Sequence, residues 1–208
     1  MDYSFHTENE KETVAEAITR LNEANPEDEI KWEHSCHQKK CGACAMVING
    51  RPMLACDAVL GRVAHKGIIR VAPLGKFPII ADLMVDRSIL YENLNTMKNW
   101  AEGEITLTEK NNDFVYEASK CLQCGCCLEV CPNFYAGGEF FGAAALSPSA
   151  RLAVSTEDEA VMTDYRAHIY EGCGKSLACL DICPMGIDLE SLLSRSNRAA
   201  VWRKKWKK

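Results

Sequence analysis

Cys121-Leu122-Gln123-Cys124-Gly125-Cys126-Cys127-Leu128-Glu129-Val130-Cys131-Pro132 sets Cys121, Cys124, Cys127 and Cys131 in the order Cys-x2-Cys-x2-Cys-x3-Cys-Pro. That spacing wraps a short stretch of backbone around a 4Fe–4S cluster, and where two such runs occur the fourth cysteine of each serves the other's cluster. A second, damaged run follows: Cys173-x5-Cys179-x3-Cys183-Pro184, with Ser176 where an intact copy would carry cysteine. Exchanging the fourth cysteines gives two ligand sets. Cys121, Cys124, Cys127 and Cys183 form a full set for 4Fe–4S. Cys131, Cys173 and Cys179 offer three thiolates, which hold a 3Fe–4S cluster with its missing iron corner facing position 176. The exchange pins the two cysteine groups together, so the clusters form a structural core for this half.

Toward the N-terminus, Cys36-x4-Cys41-x2-Cys44 with the later Cys56 has the spacing of a 2Fe–2S loop. Gly42 and Ala43 keep the loop small enough for backbone N–H groups to reach the sulfurs, and Lys39 and Lys40 put positive charge beside a negative cluster. Four cysteines with short pairs also suit zinc; the x4 spacing and the Gly-Ala pair weigh against it. His34 and His37 flank Cys36, as in a centre with two imidazole ligands, but four cysteines already fill the site. These assignments use eleven of the 12 cysteines. The remaining one, Cys126, lies between two ligands and is expected to point away as a small buried hydrophobe.

The remaining composition fits this employment of cysteine. The chain has 208 residues, 47% hydrophobic and 25% charged, with a net charge of −5. This acidity gives no footprint for nucleic acid, and no nucleic-acid partner is expected. No apolar run reaches the roughly 18 residues of a membrane span. Met1-Asp2-Tyr3-Ser4 has neither a basic start nor an apolar stretch, so no secretory signal is expected. A reducing cytosol, where disulfides are rare, is the expected setting. Charge is polarised: residues 1–30 hold nine acids and two bases, and residues 195–208 hold seven bases and no acid. That basic end reads either as a solvated helix end or, because Trp202 and Trp206 share one face of it, as a pattern suited to lipid headgroups or a membrane subunit.

Thr13 and Glu16 form a capping box; Val14, Ala17, Ile18 and Leu21 behind it repeat at helical spacing, and Asn25-Pro26 ends the helix. Ala45 to Ile48, Asn49-Gly50 and Met53 to Ala55 predict a hairpin, and Ile68 to Ala72 another strand. The second half reads as helical, with Asp188 capping a last helix from Leu189. The cysteine-free stretch Asp57 to Lys120 separates two domains, residues 1–98 and 99–208, with the boundary in the polar segment Lys98 to Asp113. No glycine-rich phosphate loop occurs, and no catalytic residue set is assigned.

The order of the three motifs resembles the iron–sulfur subunit of succinate dehydrogenase and fumarate reductase. The matching residues include Ser35-Cys36, Cys41 to Pro52, Leu54-Ala55-Cys56, Cys121 to Cys127, Cys131-Pro132 and Cys173 to Gly186. The resemblance implies an α+β chain, with an N-terminal 2Fe–2S ferredoxin-like β-grasp domain followed by an all-α bacterial-ferredoxin-like domain. It implies a flavoprotein subunit carrying FAD and the dicarboxylate site, a quinone-binding membrane anchor subunit, and a peripheral place on the cytoplasmic side of the membrane. Electrons would pass between FAD, 2Fe–2S, 4Fe–4S, 3Fe–4S and quinone. Three positions depart from the family: only one candidate strand, Tyr3 to Thr7, precedes the first helix; Ala136 stands where many ubiquinone-reducing members carry tryptophan; and Gly174 replaces a histidine found in some members. Rival expectations are a free-standing ferredoxin-like carrier and an iron–sulfur carrier for a soluble flavoprotein reductase.

Overall fold

The first helix begins where two chain ends of hydrogen bonding meet. Thr13 Oγ1 accepts from the Glu16 N–H and Glu16 Oε2 accepts from the Thr13 N–H, so α1 (Val14–Ala24) starts on a complete capping box. Its first free N–H groups, on Val14 and Ala15, donate to the carbonyls of Ala58 and Ala55, which fixes the helix on the segment that carries Cys56. Val14, Ala15, Ala17 and Ile18 are its buried face.

The computed structural model describes residues 3, 6, 7, 9, 11–98, 109–156 and 158–202, with the side chains of 109–111 left out. It divides into two compact units, Met1–Asp86 and Arg87–Lys208. In the first unit, β1 (Ala45–Ile48) and β2 (Arg51–Leu54) form the antiparallel hairpin around Asn49-Gly50, with Ala45 opposite Leu54 and Ile48 opposite Arg51. Asn49 and Gly50 both take positive φ, at 49° and 81°, as a two-residue hairpin turn requires. A short α2 (Leu60–Val63) follows. The expected strand over Ile68 to Ala72 narrows to β3 (Val71–Ala72), paired antiparallel with β1. The reason is local: Lys66 and Gly67 take positive φ and close a tight turn between His65 and Ile68. A separate hairpin, β4 (Ile79–Ala81) and β5 (Met84–Val85), completes the unit. The core gathers Trp32, Met46, Ile48, Leu54, Leu74, Phe77 and Val85. The expected strand Tyr3 to Thr7 includes Ser4 and Phe5, which lie outside the described residues; Tyr3, His6 and Thr7 take no regular structure.

The second unit holds only helices among its described residues: α3 (Ser88–Thr96), α4 (Glu109–Ser119), α5 (Cys126–Glu129), α6 (Gly142–Ala153), α7 (Glu159–Tyr165) and α8 (Leu189–Asn197). Wider π-type turns extend α7 over Arg166–Tyr170 and α8 over Arg198–Trp202. Helix α6 is the hub and packs against α3, α4, α5, α7 and α8. Phe114, Phe141, Met162, Tyr165, Ile169 and Leu192 fill the core. Asp188 caps α8 as expected, its carboxylate accepting from the Ser191 N–H at 2.9 Å. The expected boundary segment Lys98 to Asp113 and the basic end with Trp206 lie largely outside the described residues. No described helix is long and apolar enough to cross a membrane.

Candidate metal centre

Three groups of thiols gather. In the first unit, the hairpin turns the chain back so that the Ala55 N–H donates to the Cys44 carbonyl at 3.0 Å, with Cys44 and Cys56 just outside the two strands. The preceding loop coils through positive φ at His37, Lys39 and Gly42. That coil aims backbone N–H groups at sulfur: Gln38 and Lys40 donate to Cys36 Sγ and Lys39 donates to Cys56 Sγ, each at 3.3 Å. The donors to Cys36, joined by the Cys41 thiol, bring its pKa down to about 7. Burial pushes buried Cys44 up to about 12, with the neighbouring Cys56 and Cys41 adding to the rise.

The flanking side chains have other partners. Lys39 Nζ pairs with Asp57 Oδ2 at 2.6 Å, so its charge is compensated locally. His34 Nδ1 and His37 Nε2 share a hydrogen bond at 3.1 Å, and His34 stacks on Trp32 with ring centres 4.5 Å apart. The two imidazoles thus meet edge to face, their planes 81° apart, and are partners of each other.

In the second unit, seven thiols divide between two cavities. One is lined by Cys121, Cys124, Cys127 and Cys183, together with Gln123 and Ser147. The other is lined by Cys131, Cys173 and Cys179, together with Asn133 and Ser176. Ala143 of α6 and Leu189 of α8 border both. Left-handed turns at Gln123 (53°) and Gly125 (86°) let the first run coil. Asn133 Nδ2 donates to the Gly172 carbonyl, and a Cβ at Gly174 would stand only 2.9 Å from that nitrogen. The amide occupies the space a larger residue at 174 would need.

Burial, and then the neighbouring thiols, push Cys121, Cys127 and Cys179 upward. Such crowded thiols resist losing protons alone, whereas a bound metal deprotonates its thiols outright. Ser147 Oγ is buried without a well-formed hydrogen bond and lies close enough to Cys121 to favour its thiolate. Among the described residues, no three Cys, His, Asp or Glu side chains are grouped to hold a single metal ion; the thiols surround cavities. This donor set, with N–H groups aimed at sulfur, fits iron–sulfur clusters.

Three neighbours were not evident from spacing. Cys126 is fully buried and lines neither cavity, yet it sits beside Cys124, and its thiol is the chief cause that brings Cys124 down to about 7. Arg87 adds its positive charge there and donates to the Cys124 carbonyl at 3.2 Å. Gln123 Nε2 donates to Cys121 Sγ at 3.1 Å. The aim of each depends on how the run coils, which the order of cysteines does not specify.

Comparison with known proteins agrees with these groups. Residues 1–92 match a family described as a 2Fe-2S iron-sulfur cluster binding domain, and residues 117–187 a 4Fe-4S dicluster domain. The succinate dehydrogenase iron-sulfur subunit of Bacillus subtilis is 35% identical over 81% of this chain and 71% of its own length. The fumarate reductase iron-sulfur subunit of Wolinella succinogenes is 31% identical over 83% of this chain and 78% of its own. A chain of the Mycobacterium smegmatis Sdh1 complex in the apo form superposes with a TM-score of 0.79 at 27% identity, covering 96% of this chain and 88% of that one.

Proposed function

The chain belongs to the family of succinate dehydrogenase and fumarate reductase iron–sulfur subunits, and from that membership we propose that it relays electrons between the FAD of a flavoprotein subunit and a quinone held by a membrane anchor subunit. Its place is peripheral, on the cytoplasmic side of the membrane. When bound, the 2Fe–2S, 4Fe–4S and 3Fe–4S clusters supply one-electron carriers in series. Cys36, Cys41, Cys44 and Cys56 hold the first. Cys121, Cys124, Cys127 and Cys183 hold the second, and Cys131, Cys173 and Cys179 the third. The chain's own work is to present thiolates, aim N–H donors at them and exclude water. The dicarboxylate is handled by the flavoprotein, so no catalytic residue is assigned here.

The observation that carries this reading is the sorting of seven thiols into a set of four and a set of three, each drawing on both cysteine runs. Electron paramagnetic resonance on the purified protein tests it. Three signals are expected: a reduced 2Fe–2S, a reduced 4Fe–4S and an oxidised 3Fe–4S. A 4Fe–4S cluster bound by Cys131, Cys173 and Cys179 after anaerobic purification would overturn the third assignment. Co-purification tests the partners. A flavoprotein with a membrane subunit is expected; a flavoprotein alone would point to a soluble reductase, and an isolated monomer to a free carrier.

A further inference from the structure

Helix α6 contains Pro148 in its interior. Proline has no backbone N–H, so the carbonyl four residues earlier, on Ala144, receives no helical bond from that position. Gln123 supplies the missing donor, with Nε2 at 2.9 Å from Ala144 O. The same nitrogen lies 3.1 Å from Cys121 Sγ. A primary amide has two N–H bonds, so one group can serve both acceptors. The partners also settle which end of the amide faces them. The Ala144 carbonyl can only accept, so a flipped amide would press oxygen against oxygen. Gln123 Oε1 is buried without a partner; this orientation is kept although it leaves that oxygen unsatisfied, which makes the two donor contacts the ones that hold the side chain.

We propose that Gln123 is a positioning residue of the 4Fe–4S centre: its amide, fixed on the carbonyl that Pro148 leaves free, donates an N–H to the Cys121 thiolate and raises the cluster's reduction potential. This rests on the reading of that cavity as the 4Fe–4S site. Reduction adds one electron to the cluster, and in a titration that electron comes from dithionite. No bond is broken and no proton moves. The added charge spreads over the sulfurs, so an N–H aimed at one of them stabilises the reduced form more than the oxidised form. Hydrogen bonds to sulfur are among the levers on cluster potential, and their weight grows away from water. The donors to Cys36 and Cys56 belong to the backbone, where side-chain replacement cannot remove them. Gln123 donates through its side chain, so a single substitution can change this potential.

The test is a redox titration, followed by electron paramagnetic resonance, of the full chain purified with its partners, in wild type and Gln123→Leu. Leucine is similar in size, uncharged and donates nothing. The 4Fe–4S midpoint is expected to fall, while the 2Fe–2S and 3Fe–4S midpoints and the iron content stay as in wild type. A merely structural role would not move one potential alone, and an unchanged 4Fe–4S midpoint would overturn the proposal. A second measurement covers the case in which the variant fails to hold its cluster. Gln38 and Gln123 are the chain's two glutamines, so wild type grown with glutamine labelled with nitrogen-15 at the side-chain amide has few candidate nitrogens. Pulsed resonance on the reduced 4Fe–4S cluster is expected to detect a coupled amide nitrogen, and its absence would overturn the proposal even if the cluster is present. Wild type without any 4Fe–4S signal would overturn the reading of the cavity itself, a different outcome.

Discussion

At the residue scale, the contrast between Ser176 and the cysteines around its cavity carries the chemistry. Ser176 borders the cavity lined by Cys131, Cys173 and Cys179, between two left-handed residues, Lys175 and Leu177. A hydroxyl gives up its proton far less readily than a thiol, so on the proposed ligand set the fourth iron of a cubane would find no good ligand there. Ser176→Cys is expected to replace the 3Fe–4S resonance by that of a 4Fe–4S cluster, lower its potential and slow electron transfer to the membrane side; persistence of the 3Fe–4S resonance would count against this geometry. Cys41→Ala is expected to abolish the reduced 2Fe–2S resonance and leave the other two intact. Steric limits are as sharp as chemical ones. Gly142 takes a φ of 69°, and a Cβ there would stand 2.5 Å from Leu128 Cδ2. Gly142→Ala is therefore expected to cost about 1–3 kcal/mol through backbone strain and overpacking, read as a lowered thermal midpoint.

At the element scale, local chemistry decided what the sequence could tell. The capping box at Thr13 and Glu16, the Asn49-Gly50 turn and the Asp188 cap are each specified by neighbours in the chain, and each is found. The strand ending at Ala72 was only partly legible because its first half depends on a turn at Lys66-Gly67 and on Asn49, whose side chain donates to the Val63 carbonyl and accepts from the Arg70 N–H. Those contacts join residues distant in sequence. The cap on α8 makes a pH-dependent prediction. The Ser191 N–H and hydroxyl hold the Asp188 carboxyl below its usual pKa. A lowered folded-state pKa means the cap's contribution is present at neutral pH, above the unfolded value, and is lost as pH falls through the folded value. Asp188→Ala is expected to cost at most about 1 kcal/mol at pH 7, less at high salt because the site is exposed. The difference from wild type is expected to vanish in strong acid, measured by helix unfolding in the metal-depleted chain. A difference that grows on acidification would contradict this sign.

At the scale of the whole molecule, the cysteine order foretold a 2Fe–2S domain followed by a 4Fe–4S domain, but not the shell around the thiols. Gln123, Cys126 and Arg87 reach sulfur or its backbone only after the run has coiled through Gln123 and Gly125, so no spacing rule could name them. The same scale governs stability. A group bound only by the folded state stabilises it, so removing iron with a chelator under reducing conditions is expected to lower the thermal midpoint of the second unit; an unchanged midpoint would show that the helical core stands alone. The crossed thiol sets also impose an order in time. Cys36 to Cys56 lie close together, so the first site is complete soon after its hairpin leaves the ribosome. The cavity bordered by Cys121, Cys124 and Cys127 waits for Cys183, and the one bordered by Cys131 waits for Cys173 and Cys179. On the proposed ligand sets, a nascent chain halted before Cys173 would carry its first cluster and neither of the others, which would place cofactor delivery to the second unit at the close of translation.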